Sequence, residues 1–136
     1  MTTTAETELL RDGDADLSEL PSELDLIGIV RDAAEASDNG LAWCLHLDIA
    51  DRRAPSLTFG VRNRHGFVAW WDGQRSTNAV GNNVEPVDYW SGGHHFQIEP
   101  GTEIDAEHVF AALGEFFATH TRPRCIRWND HQSSAA

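Results

Sequence analysis

The chain has 136 residues, enough for one domain with a two-layer core and too few for two such cores. It carries 22 acidic against 10 basic residues, a formal net charge of -12, and with no lysine every fixed side-chain positive charge is an arginine. A surface of this sign repels nucleic acid and attracts basic proteins, which argues against a nucleic-acid-binding module.

Met1 to Glu8 is Thr-rich and acidic, with neither the basic start nor the apolar stretch of a secretory signal, and no run approaches membrane-spanning length. A cytoplasmic protein is expected. Residues 1–19 mix Thr, Asp, Glu and Ala with few large apolar groups, and within residues 1–25 eight acids face one arginine, Arg11. This composition predicts a mobile acidic arm over 1–19, followed by a single domain over 20–131 and a flexible tail over 132–136.

Pro21-Ser22 opens a helix read from Ser22 to Ala36, although Leu26-Ile27-Gly28-Ile29-Val30 also passes as a short strand. After an Asp38-Asn39-Gly40 turn, Leu41, Trp43, Leu45, Leu47 and Ile49 alternate with Ala42, Cys44, His46 and Asp48, the signature of a strand with one buried face. Leu57, Phe59 and Val61 repeat that alternation. Asn63-Arg64-His65-Gly66 then turns the chain into Phe67 to Asp72, the natural antiparallel partner. A turn at Asp72-Gly73 leads to Ser76 to Val80, and a loop from Gly81 to Pro86 precedes Tyr89-Trp90, the turn Ser91-Gly92-Gly93, and His94 to Ile98.

Between Asp105 and His120, the residues Val109, Phe110, Leu113, Phe116 and Phe117 share one broad helical face, with Asp105 as N-cap, Glu107 in the first turn and Ile104 placed for a hydrophobic staple. Pro123 stops the helix, so Arg124 to Asn129 should leave as a strand with Ile126 and Trp128 on one side. The order predicts an α+β domain: a curved antiparallel sheet with an N-terminal helix and a C-terminal helix packed on one face, the last strand carrying the near-terminal Trp128. The opposite face is expected to be free.

Catalytic and metal chemistry finds little support in the residues. A zinc deaminase needs a His or Cys ligand near a catalytic Glu and a later Pro-Cys-x-x-Cys, and neither segment is present. Cys44 and Cys125 match no metal spacing and are expected as reduced, buried thiols. His94 and His95 are adjacent on a strand, so they point to opposite faces, with no third ligand placed by spacing. His46 and Asp48 share a strand face and, with His65 or His131, could form an acid-base pair, but no nucleophile or oxyanion site accompanies them, and a solvated sheet face explains them better. No catalytic residue, metal or cofactor is therefore expected.

The C-terminal sequence Phe116-Phe117-Ala118-Thr119-His120-Thr121-Arg122-Pro123, closed by Trp128, resembles the immunity-protein family that neutralises nucleic-acid deaminase toxins of bacterial polymorphic toxin systems, the first numbered family of such proteins. Phe116, Thr119, Pro123 and Trp128 match its helix-end motif; upstream, Phe67 to Asp72, Val80-Gly81, Tyr89-Trp90 and Pro100-Gly101 match in order, covering roughly the last half to two thirds of the chain. His120 departs from the glycine frequent there, at a position that often needs positive φ. The resemblance implies an immunity protein that binds a cognate deaminase toxin in a one-to-one complex and blocks its active site or substrate cleft.

Two other classes compete with that reading: an acidic module for a different toxin or basic protein, and an enzyme using His46 and Asp48. Trp43 and Trp128 read as core. Trp70, Tyr89 and Trp90, flanked by Asp72, Glu85 and Asp88, are the expected toxin-binding residues, because aromatic anchors ringed by acid suit a basic cleft.

Overall fold

The computed structural model describes residues 13–21 and 24–130. Its elements in chain order are β1 (Asp14–Asp16), a 3-10 turn (Leu17–Glu19), α1 (Leu26–Glu35), β2 (Leu41–His46), β3 (Ser56–Arg62), β4 (His65–Trp71), β5 (Ser76–Asn78), β6 (Val87–Ser91), β7 (His94–Ile98), β8 (Ile104–Asp105) and α2 (Ala106–Thr119). The sheet runs β5-β4-β3-β2-β6-β7, with β1 added to β2 and β8 to β4. Only β1 and β6 pair with β2 in parallel; the remaining pairs are antiparallel.

Strand phase decides what is buried. β2, β3 and β4 pair so that Trp43, Phe59 and Val68 form one cross-strand row and Leu45, Leu57 and Trp70 the next. These residues form one apolar surface, and the helices close it: Val109, Ala112, Leu113 and Phe116 of α2 and Leu26 and Val30 of α1 join the same core. Side chains such as Phe59, Leu45 and Phe116 are fully buried, each stabilising the fold by about 1.5–3 kcal/mol relative to exposure. Helix α1 begins later than its sequence suggests. Asp25, whose carboxylate accepts the Gly28 N–H at 3.0 Å, caps it, and Leu26 to Val30 is helix rather than strand.

The sheet curls into a half-barrel, and the expectation of a free opposite face gives way for half of that face. β6 touches β2 only at Leu41↔Trp90, so the β6–β7 hairpin swings across the sheet, its Gly92-Gly93 loop taking the positive φ at both residues that a tight two-residue hairpin needs. Tyr89, Ile98 and Phe96 then pack on Ala42 and Phe67, which point away from the helices, and make a second small core. The Phe67 and Tyr89 rings meet edge to face at 4.8 Å. What stays open is the end carrying Cys44, His46, Thr58, Ala69 and Trp71, all half-buried.

Residues 14–19, placed by composition in the acidic arm, are strand and 3-10 turn with Ala15 and Leu17 buried; residues 1–12 of the arm and the tail 132–136 lie outside the described residues. Alternating acids hid a short in-and-out strand: Ala15 points in while Asp14 and Asp16 point out.

The C-terminal closure is likewise shorter than a strand. Trp128 makes a single bridge to Ala79, supported by the Val80 N–H to Arg127 O and Asn129 N–H to Asn78 O bonds. The rest of the exit is held by side chains. Glu115 accepts the Arg124 and Cys125 N–H groups at 2.5 and 3.1 Å, bonds that hold its carboxyl below the usual range. The Trp128 indole donates to Pro123 O at 2.8 Å, and Pro123 is fully buried. Cys125 is exposed and Cys44 half-buried, so neither is the deeply buried thiol expected.

His120 ends α2 at φ 60°, the left-handed cap anticipated from its position, and donates its N–H to Phe116 O at 2.7 Å. His120→Gly is accordingly expected to raise stability by about 0.5–1 kcal/mol, because glycine enters this region without the side-chain penalty. Urea denaturation measures it; a loss of stability would show that the imidazole makes compensating contacts. Gly81 presents the opposite case. A Cβ there would lie 2.2 Å from the Glu103 carbonyl oxygen and 2.5 Å from its nitrogen, so Gly81→Ala should cost about 1–3 kcal/mol by forcing two backbones apart. The same denaturation assay tests it, and a neutral result would mean the loop moves freely.

Candidate partner-binding groove

Four distant stretches of chain meet beside the hairpin. The α1–β2 turn supplies Asp38, the end of β3 supplies Arg62, the loop into β6 and β6 itself supply Glu85, Asp88 and Trp90, and the segment before β8 supplies Glu103; they line an open groove of about 610 Å³. Asn83 holds the loop in place. Its side-chain oxygen accepts the Thr102 and Glu103 N–H groups, both at 2.8 Å, and its amide donates to the Glu85 and Glu99 carbonyls. The Gly81 N–H to Gly101 O bond at 2.8 Å ties the loop to the same segment. The Val80-Gly81 and Pro100-Gly101 motifs therefore meet, and their work is to shape this groove.

The groove floor is polar and buried. Glu103, 6% exposed, accepts the Tyr89 hydroxyl at 3.2 Å and two contacts from Arg62 Nη2 at 3.2 and 3.3 Å. Burial, then the adjoining Glu103 charge, pushes the Tyr89 hydroxyl up in pKa, so it remains a proton donor. Arg62 neutralises Glu103 but leaves its own Nε buried without a partner, the sole such side-chain atom among the described residues. With those two charges paired, Asp38, Glu85 and Asp88 set a negative rim.

Asp88 is also the organising group of the outer hairpin face. It accepts hydrogen bonds from Gln97 and His95, each at 2.8 Å, and these bonds hold its carboxyl below the usual range. His95 in turn lies against Trp90, ring centroids 5.0 Å apart. Trp90 thus stands half-buried and braced beside a carboxylate that stays ionised.

Of the six residues singled out from the sequence, Glu85, Asp88 and Trp90 come together here. Tyr89 lies beneath the groove, fully buried, and reaches it only through Glu103. Trp70 and Asp72 lie elsewhere. Trp70 is 8% exposed and packs edge to face on Phe116 at 5.6 Å, joining the core while sharing with Asp72 the lining of a separate depression of about 350 Å³. Asp72 caps the β4–β5 turn, accepting the Arg75 and Gln74 N–H groups, which hold its pKa down.

The tryptophan that emerges is Trp71. Its indole donates to Arg52 O at 2.9 Å, and it lines a depression of about 320 Å³ with His46 and Ile49. Strand phase carried the signal: Trp70 is an even step from Val68 and pairs across from Leu57, on the helix-facing side.

Two other features bear on the choice of site. A depression of about 700 Å³ between α1 and α2 is larger than the groove, but its Arg31 and Glu107 pair at 3.0 Å across it and its lining mixes both signs. On the open sheet end, His46 meets Asp14 at 2.9 Å, and Cys44, then Asp14, hold the imidazole pKa up to about 9. Asp48 turns away to cap Ala50, so the suspected His46–Asp48 pair does not form.

Over residues 14–130 the chain matches the family model described as Immunity protein Imm1. No curated protein matches the chain. The matched span includes every element from β1 through the Trp128 bridge, and Phe116, Pro123 and Trp128, on which the resemblance in the sequence rests, are structural in the geometry above.

Proposed function

We propose that this chain, which belongs to the Imm1 immunity-protein family, acts as the immunity protein of a cognate deaminase toxin, binding it one-to-one in the cytoplasm and occluding its substrate cleft. The observation that carries the reading is the family match, and the acid-rimmed groove supplies the chemistry. A deaminase cleft that takes nucleic acid is basic, and Asp38, Glu85 and Asp88 offer it carboxylates while Trp90 offers a rigid aromatic anchor. The acids speed encounter and the aromatic slows release. Occlusion is sufficient, so the protein needs no catalysis of its own.

Co-expression with the toxin domain encoded beside this gene tests the proposal directly. Survival together with loss of nucleic-acid deamination in the purified complex is the expected result. If the neighbouring toxin is restrained but is not a deaminase, the immunity role stands and the toxin class is replaced; if nothing is restrained, both go. Within a complex that forms, the double change Glu85→Gln and Asp88→Asn should slow association about tenfold at low salt and flatten its salt dependence, as stopped-flow mixing would record. An unchanged association rate would place the toxin on another face.

A further inference from the structure

Away from the groove, the pairing of β1 with β2 brings together three different metal-ligating side chains. The parallel register sets Asp14 beside Cys44 and Asp16 beside His46. Cys44 and His46 are two residues apart on one strand, so they share its face, and Asp14 reaches that face from the neighbouring strand. The His46 Nε2 to Asp14 Oδ1 distance is 2.9 Å, and the thiol, imidazole and carboxylate ligand atoms all lie within 4.8 Å of one another. Among the described residues no other group of three such side chains converges. We propose that Asp14, Cys44 and His46 form a three-ligand site for a thiophilic divalent cation of the zinc type, its fourth position open to water.

The donor set chooses the ion. One sulfur, one nitrogen and one oxygen suit borderline-soft zinc or cobalt, whereas calcium and magnesium require oxygen ligands. Bond lengths of about 2.0–2.3 Å in a tetrahedron put ligand atoms roughly 3.3–3.8 Å apart, so closing the site asks the longest separation to contract by about 1 Å while the His46–Asp14 pair opens by about 0.4 Å as its hydrogen bond gives way to the ion. Asp14 is exposed and Cys44 and His46 are half-buried at the uncovered end of the sheet, where side-chain rotation of that size meets no packed core. The ion enters as M²⁺; the Cys44 thiol proton and any proton on His46 leave to solvent. Its structural consequence is a clasp holding β1, which has only three paired residues, onto β2. The inference is independent of the toxin assignment.

The test is a cobalt titration of the reduced full-length protein, followed by zinc. One cobalt ion per chain should produce thiolate-to-metal charge-transfer absorption that zinc abolishes, that Cys125→Ser retains and that Cys44→Ser lacks. Asp14→Asn and His46→Gln should weaken binding by about tenfold or more. Zinc should also protect Cys44 from alkylation in the unaltered protein while Cys125 stays reactive, a readout by mass spectrometry that needs no variant to fold. Absence of the thiolate band, its survival in Cys44→Ser, or undiminished Cys44 alkylation under saturating zinc would each overturn the site.

Discussion

Phe116→Ala is expected to cost about 3–5 kcal/mol of folding stability, the range for deleting a fully buried aromatic from a packed core. Native domains hold only about 5–15 kcal/mol in total, so the variant should unfold at markedly lower urea and lie close to the limit of expression. The ring is the point where α2, the sheet and the C-terminal exit converge. It meets Trp70 edge to face, and its carbonyl receives the His120 N–H that ends the helix. Removing it opens a cavity beside Trp70 that the fixed strand spacing cannot close. Trp70→Ala should cost a similar amount, and a double-mutant cycle between the two should show about 0.5–1.5 kcal/mol of coupling from the ring pair. A loss below 1 kcal/mol for Phe116→Ala would contradict the core assignment.

Trp90→Ala carries the largest expected effect on function: a loss of about 2 kcal/mol or more in toxin binding, roughly thirtyfold, with little change in stability. The side chain is half-buried, braced by His95 and set among Glu85, Asp88 and Asp38, a geometry suited to an anchor at the centre of an interface. Trp71→Ala is the matched control, since Trp71 is the other partly exposed tryptophan of the sheet strands and lies on the open face near His46. Calorimetry or surface binding with the purified toxin separates the two. Should Trp71→Ala weaken binding and Trp90→Ala leave it intact, the interface belongs to the open sheet end and the groove is not the recognition surface. Survival in co-expression is a less sensitive measure, because an immunity protein that binds tightly tolerates a thirtyfold loss at cellular concentrations.

The positions that carry the resemblance in the sequence differ from those proposed to meet a partner. Phe116, Pro123 and Trp128 build the helix exit, Gly81 lets its backbone touch that of Glu103 under the groove, and Gly101 takes the positive φ of its turn. Glu85, Asp88 and Trp90 sit on the loop and hairpin that those glycines position. Rim residues on a loop tolerate change without loss of fold.

Much of the architecture is legible in the sequence. Alternation in 41–46 and 57–61 and the apolar face of 105–120 are local signals, because a strand or helix must place its apolar side chains on one side at its own period. The alternation runs on to Ile49, but the strand ends at His46 and Ile49 is exposed in the turn that follows, and the helix ends at the His120 cap, ahead of Pro123. The left-handed backbone at His120 was legible too, from its place one step past the helix. Tertiary structure decided the rest. The burial of Tyr89 followed from the curl of β6–β7 over Phe67, the order of Asp14–Asp16 from a parallel pairing with β2, and the reduction of the last strand to one bridge from the side-chain bonds of Glu115 and Trp128. The groove itself joins residues 38, 62, 85–90 and 103, which no periodicity connects. Pattern within a segment reports which side of that segment is apolar; which other segment covers that side is settled only when the whole chain packs, since many pairings bury similar area and long-range contacts choose among them.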